Sequence, residues 1–499
     1  MDTKNAYRQV VKSFGLFGGV QFFDVIIGLV RIKVLAELLG TVGVGLHNLM
    51  QQPLSLIGTA TGLGINFAGV RNIAASQGEN DGEKIGRTAV AVKRWACLTG
   101  IAGMLAVILL SPLLYRLTFG KEDFGNDYSG DYKDFIFLSV ILLFTAVSGG
   151  QTAILRGSRR LKETAKTGLL GSLFSLILTV PLYFFYGING IVPGLIIVSA
   201  VHLFFSWYYS KKVKIAPVRV SYRQSFYDGL DMAGLGFLLS VSNLIGTLAT
   251  YLVVLFLNLY SDKSEVGLYT AGANMTYRYV GLVFTAISID YFPRLAGLQS
   301  DRKKTAEAVN QQSEIAILIV APLMILYTSF LPLIVKVLNT SEFLPVVDFI
   351  RWFILGMLFR TVSWTLGYAV LARGDKKIYF RVETVSNVLF LAFNTGGYLL
   401  FGLEGMGIAF VAVYLVYFVM MLVILRKKYG FVFCKTFNQL FGFQFSMCLL
   451  CFLIVYFKGY PYAYAGGTVL FAVSAVYSVG KLNERIDMKE IIRTKILKR

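Results

Sequence analysis

The side chains in this sequence that could do chemistry are charged groups set inside stretches otherwise apolar enough to cross a bilayer. A charge at the bilayer centre costs about 2.5–3.5 kcal/mol even on lenient insertion scales unless it meets water, a partner or a ligand. In the first such stretch Gln21, Asp24, Gly28 and Arg31 recur at helical spacing and share one face, with Lys33 just beyond. Asp24 and Arg31 are seven residues apart, about 10 Å of helical rise, too far to pair directly. Two readings stay open: an inter-helix pair, or the lining of a hydrophilic cavity. Further along, Asn274, Arg278 and Gly281 share a face, and Arg360 shares one with Ser363, Trp364 and Gly367. Arg351 lies three residues after Asp348 and can pair with it on the surface.

Arg31, Lys33, Arg278 and Arg360, with Arg351 and Asn274 as further members, suggest a cationic chamber. Arginine presents a planar fork that matches phosphate oxygens bidentately, and a water-poor site strengthens that contact. The ligand expected is an anion with a hydrophobic part, for which a phosphate-bearing lipid is the natural candidate. Asp24 has no partner in its own helix and is a candidate for proton or sodium binding. His47, which precedes Gln51, Gln52 and Pro53, is a second coupling candidate, with a hydrogen-bonded structural role as the plainer reading. No cofactor is expected beyond such a proton or sodium ion. Cys448 and Cys451 form a CxxC inside an apolar helix with no His or acid nearby. That is a packed face, so no metal site is expected. No nucleophile–base pair appears, so the chain is not read as an enzyme.

Positioning these groups requires membrane helices. Fourteen apolar stretches lie near 14–36, 44–67, 95–117, 135–155, 166–186, 188–209, 232–259, 267–290, 314–338, 347–371, 380–401, 405–425, 438–457 and 462–480. Each is long enough for a hydrocarbon core of about 30 Å. Lys and Arg collect in alternate gaps, for example Arg156, Arg159, Arg160, Lys162 and Lys166, then Lys211, Lys212 and Lys214, then Arg426, Lys427 and Lys428. The intervening gaps lean acidic, as in Glu122, Asp123, Asp127, Asp131 and Asp134. The positive-inside bias then places both termini in the cytoplasm. The net charge of +20 is dispersed over these segments, which makes it an orientation signal with weak attraction to anionic membrane lipids and excludes a nucleic-acid partner. No cleavable signal is expected ahead of the first span.

The chain is duplicated. Residues 155–212 read LRGSRRLKETAKTG, a span, YGINGIVPGL, a second span and Lys211-Lys212. Residues 372–428 read ARGDKKIYFRVETV, a span, FGLEGMGIAF, a span and Lys427-Lys428. Gly187 and Gly190 match Gly402 and Gly405 in spacing, and VGVGLHNLM at 42–50 faintly echoes VGLYTAGANM at 266–275. The fold class expected is all-α, with two pseudo-symmetric six-helix bundles about a lumen. The lobes are 1–215 and 216–435, and 436–499 carries two extra helices and a basic tail.

The repeats, the VGLYTAGANM and YFPRLAG segments, and RGDKKIYFRVETVSN…FGLEGMGIAFVAVYLVYFVMMLVILRKK at 373–428 resemble Wzx-type polysaccharide flippases of the multidrug/oligosaccharidyl-lipid/polysaccharide exporter superfamily. The likeness covers about residues 10–430. Wzx-type proteins commonly have twelve spans, so the extra pair is a departure; the related lipid II flippases have fourteen. The resemblance implies a V-shaped lumen, alternating access, and transfer of an undecaprenyl-pyrophosphate-linked oligosaccharide, O-antigen-like, from the cytoplasmic to the periplasmic leaflet of a bacterial inner membrane for polysaccharide biosynthesis. Partners expected with that role are the lipid-linked oligosaccharide, membrane lipids, a polysaccharide polymerase and a chain-length regulator.

Three other classes compete. A multidrug exporter of the same superfamily pumps amphipathic cations and wants acidic lumen residues, whereas the candidates here are basic. A membrane glycosyltransferase or polymerase presents catalytic groups on sizeable outer loops, and the longest outer loop here, 118–134, is short. A passive scaffold needs no buried charges.

Overall fold

The computed structural model describes residues 3–78, 81–119, 131–213, 215, 218–297, 302–373 and 375–485, with side-chain detail from residue 27 onward except at scattered positions, most of them between 231 and 300. All its regular elements among the described residues are helices. They are α1 (Thr3–Gly62), α2 (Ile65–Gly78), α3 (Gly82–Phe119), α4 (Tyr132–Leu138), α5 (Val140–Gly157), α6 (Leu161–Tyr186), α7 (Ile191–Ser210), α8 (Tyr222–Tyr260), α9 (Lys263–Gly297), α10 (Arg302–Ser329), α11 (Leu331–Leu338), α12 (Val346–Ile350), α13 (Phe353–Ala372), α14 (Lys376–Tyr429), α15 (Lys435–Lys458) and α16 (Tyr460–Arg485). Ten described stretches are long and apolar enough to cross a membrane. Large apolar side chains point outward from them, with Leu109 80%, Phe185 75% and Val476 73% exposed. In water such a surface would aggregate; against lipid it costs nothing.

Glycines break the longest helices. Left straight, the 60 residues of α1 would run about 90 Å, three times the hydrocarbon core. Gly40 interrupts it at φ 63°, ψ −167°, a conformation closed to side chains bearing a Cβ. Gly402 does the same within α14 at φ 60°, ψ −144°, and Gly187 between α6 and α7 at φ 54°, ψ −131°. The duplication seen in sequence is thus kept in backbone angles. It is also kept in packing. A Cβ on Gly190 would strike the carbonyl of Leu182, and one on Gly405 would strike that of Gly397. Each clash reaches back eight residues to the opposite arm of a helical hairpin.

The chain divides into two compact units, Met1–Gly267 and Leu268–Arg499. This differs from a boundary at residue 215/216. Helix α8 belongs to the first unit because α3 holds it at both ends. Arg94 Nη1 donates to the carbonyls of Val220 (3.0 Å) and Ser221 (3.1 Å) and to Ser225 Oγ (2.7 Å). Trp95 Nε1 donates to the Ser225 carbonyl at 3.1 Å, and Gly229 leaves room for the Trp95 indole. At the far end Asn258 Nδ2 bonds the carbonyls of Leu117 (2.8 Å) and Thr118 (3.0 Å). The last residues of the first unit, Lys263–Gly267, lie against α1: Ser264 Oγ donates to Thr41 Oγ1 at 2.7 Å. There Gly45 and Gly267 face each other's strand of backbone so closely that a Cβ on either would collide with a carbonyl of the other segment.

In the second unit α15 and α16 are integral rather than appended. Gln444 bonds Ser478 Oγ at 2.8 Å and receives a bond from Ser474 Oγ at 2.6 Å, joining the two helices. Cys448 and Cys451 are buried free thiols whose sulfurs lie 3.8 Å from the Ala321 and Ile325 carbonyls of α10. The CxxC is therefore a packing face, and no group of residues suited to a metal occurs among those described.

Candidate functional site

In the second unit the candidate cation is Arg360. Helix α13 delivers it half-buried among aromatic rings from α9 and α14. Its guanidinium carbon lies 4.5 Å from the Tyr277 ring centroid, 5.5 Å from that of Tyr414 and 5.6 Å from that of Phe284. Its one polar contact is from Nη1 to the Met357 sulfur at 3.9 Å, and no carboxylate lies within ion-pair distance of it among the described residues. Ring faces attract a cation by about 0.5–2 kcal/mol each when desolvated, which keeps the charge in place. They accept none of its five in-plane N–H bonds. The fork is thus met on its faces by rings, and among the described residues its only in-plane partner is the Met357 sulfur.

Arg351, nine residues earlier, is differently placed. It pairs with Asp348 at 3.0 Å, as its spacing suggests, and with Glu404 at 2.5 Å. Trp352 Nε1 shares Glu404 at 3.0 Å, and the Arg351 guanidinium stacks 4.7 Å from the Tyr456 ring. Arg351 therefore ties α12, α14 and α15 together through its two Nη groups, while its buried Nε has no partner among the described residues. Asn274 is exposed on α9. The side chain of Arg278 lies outside the described residues.

In the first unit Arg31 Nη2 donates to Ser175 Oγ at 2.7 Å and to the Ser172 carbonyl at 3.4 Å, both on α6. Of the two readings open for Arg31, the inter-helix bond is the one formed with described residues. His47 and Tyr183 are near enough to feel its charge. Lys33 pairs with Glu37 one turn on, at 3.1 Å. The Asp24 side chain, and residues 120–130 of the acidic outer loop, lie outside the described residues.

One group escaped the sequence reading. Glu383, at the start of α14, accepts a bond from Tyr417 Oη at 3.2 Å and is half-buried. In sequence it follows Lys376, Lys377 and Arg381 and reads as part of a solvated charge run. Only the hairpin at Gly402, which folds Tyr417 back onto it, reveals a membrane-embedded carboxyl.

Residues 91–348 match the family described as polysaccharide biosynthesis protein. The lipid III flippases of Escherichia coli K12 and Shigella flexneri are each 24% identical over 407 residues, covering 78% of this chain and 92% of theirs. Among solved structures, the lipid II flippase MurJ in an inward closed conformation aligns with a TM-score of 0.68 at 16% identity, over 94% of this chain and 99% of that one. An inward-facing multidrug resistance MATE family transporter of the MOP superfamily aligns at 0.67 and 15%, over 85% and 98%. The fold is therefore that of this superfamily, and these relatives are flippases and transporters rather than enzymes.

Proposed function

This chain belongs to the polysaccharide biosynthesis protein family, a multi-pass membrane family, and from that premise we propose that it flips an undecaprenyl-pyrophosphate-linked oligosaccharide from the cytoplasmic to the outer leaflet of a bacterial inner membrane by alternating access. The observation that carries this is Arg360. A cation at membrane depth whose described neighbours are ring faces and a thioether is costly at rest, and an anionic lipid headgroup would offset that cost. An exporter of amphipathic cations would gain nothing from it. The direction of transfer rests on the alternating Lys and Arg of the sequence, which would put the turns at Gly40, Gly187, Gly402 and Gly459 on the outer side. We propose further that the cargo is an O-antigen-like repeat handed on to a polymerase.

Reconstitution tests it directly. Proteoliposomes loaded with fluorescent lipid-linked oligosaccharide in one leaflet should show protein-dependent transfer to the other, with the lipid's mass unchanged. A mass change would mean a transferase, and no transfer beyond empty vesicles would remove the proposal.

Orientation has its own check. In a cysteine-free background, Ser129→Cys should react with an impermeant thiol reagent in intact cells and Ser158→Cys should not. The reverse pattern would invert the topology. Coupling through Asp24 is tested by Asp24→Asn. Transport should lose its dependence on a proton or sodium gradient while lipid binding persists. Unchanged ion dependence would leave Asp24 a structural group.

A further inference from the structure

The first unit encloses a second site of different chemistry. A cavity of about 450 Å³ opens among α1, α3, α5 and α7, with Asn66 of α2 at its edge. It falls within the range of about 300–1,000 Å³ usual for small-molecule sites. Among the described residues, no Asp, Glu, Lys or Arg lines it. Its polar wall is made of hydroxyls, two amides (Gln51 and Asn66) and His202, interleaved with Leu54, Ile141, Leu142 and Val198.

The wall is built to be polar. Three of these side chains are seated against glycines of neighbouring helices. A Cβ on Gly149 would collide with the Asn66 amide, one on Gly171 would come 2.6 Å from the His202 ring, and one on Gly103 would come 2.9 Å from Thr61 Oγ1. The corner that turns Asn66 in from α1 uses left-handed backbone at Leu63 (φ 47°) and Gly64 (φ 66°). Leucine adopts that conformation at a cost of about 1–2 kcal/mol.

Most of the hydroxyls have already spent their protons. Thr59 donates to the Ser55 carbonyl at 2.8 Å, Thr61 to Ile57 at 2.9 Å, Ser199 to Ile196 at 2.7 Å and Thr99 to Ala96 at 3.3 Å; Thr145 donates to Ile141. What they offer the cavity is lone pairs. A phosphate, which carries only acceptors at its ionised oxygens, meets no cation among the described lining residues and few donors beyond the two amides. A neutral polyol finds a complement: each of its hydroxyls can donate to a threonine or serine and accept from an amide, while its C–H faces meet the aliphatic side chains.

We infer that this cavity is a sugar subsite, which receives a monosaccharide of the lipid-linked cargo while the diphosphate is held elsewhere. The inference rests on the flippase reading and adds to it a place and a chemistry for the sugar. Contact is by hydrogen bonds without an aromatic platform, so binding is weak and reversible, as a transient stop during transfer requires.

The test uses the full-length protein in lipid nanodiscs. Its probes are undecaprenyl diphosphate and the same lipid carrying one galactose, N-acetylglucosamine or N-acetylgalactosamine. At least one sugar-bearing lipid should bind about three- to tenfold more tightly than the bare lipid, the worth of one or two neutral hydrogen bonds. Asn66→Leu and Gln51→Leu should erase that increment and leave bare-lipid affinity unchanged, whereas Arg360→Ala should weaken both lipids. A second measurement keeps both amides: Thr145→Cys, in a cysteine-free background, should be alkylated more slowly in the presence of the sugar-bearing lipid than of the bare one. Equal affinities with no difference in alkylation would overturn the subsite while leaving the flippase reading intact. Protection by sodium chloride alone, against a choline chloride control, would assign the cavity to a cation instead. Binding of neither lipid by the wild type would overturn the flippase reading and the subsite with it.

Discussion

Arg360→Ala is expected to weaken binding of undecaprenyl-pyrophosphate oligosaccharide roughly tenfold or more, and to do so without lowering the melting temperature. Hydrogen bonds to a charged partner contribute about 1.5–3 kcal/mol each, and 1.4 kcal/mol is about a factor of ten in affinity. Stability should hold or rise because, among the described residues, the arginine meets rings and the Met357 sulfur and no carboxylate, so its removal relieves a desolvated charge without stranding a described anion. Arg351→Ala is the contrasting control. It strands Glu404, which is bonded by both Arg351 and Trp352, and should cost about 1–3 kcal/mol of stability. Lysine at 360 keeps the charge and loses the fork, so affinity should return only in part. Measured by thermal unfolding and by lipid binding in nanodiscs, a variant at 360 that binds normally, or one that loses stability as the 351 variant does, would reassign Arg360 to structure.

A disulfide between Thr41→Cys and Ser264→Cys is expected to stop transport almost completely and reversibly. The two hydroxyls are 2.7 Å apart, which brings the two side chains within reach of an S–S bond. Around them Gly45 and Gly267 let α1 and the start of α9 approach backbone to backbone. The contact fixes the first turn of α9, whose chain continues from the first unit into the second, against α1, and a covalent bond would stop that helix from pivoting there during transport. Transport in proteoliposomes should fall on oxidation, return with reductant, and stay normal in each single-cysteine variant. Full transport by the oxidised double variant would show that this contact persists throughout the cycle.

What the sequence disclosed was whatever bilayer physics forces into view. Apolar length and alternating Lys and Arg gave a helical membrane protein, and Gly187/Gly190 against Gly402/Gly405 gave the duplication, because a hairpin turn needs glycine wherever it recurs. The Asp348–Arg351 pair was legible because its spacing is local. Longer-range facts were not. That Glu404 and Tyr456 also claim Arg351 depends on α14 and α15 arriving beside it. That α8 goes with the first unit depends on Arg94 and Asn258 reaching carbonyls more than a hundred residues away. Glu383 was hidden by its basic neighbours. The sugar cavity was invisible for a different reason. Serine and threonine in a membrane helix read as packing residues, and only their shared orientation makes them a wall.

The glycine turns bear on how the protein is made. Helices α6 and α7 are joined by Gly187–Gly190 alone, and the arms of α14 by a kink at Phe401 and Gly402. Neither turn contains a lysine or arginine. A ribosome-bound translocon therefore has almost no polar chain to push across the bilayer for either pair. Each hairpin can leave the channel sideways as one preformed object, its two arms already paired through the contacts at Gly190 and Gly405. A bulkier residue at Gly187 or Gly402 would then be felt during biogenesis, as misinserted chain cleared by proteases, before it could be measured as a defect in the finished transporter.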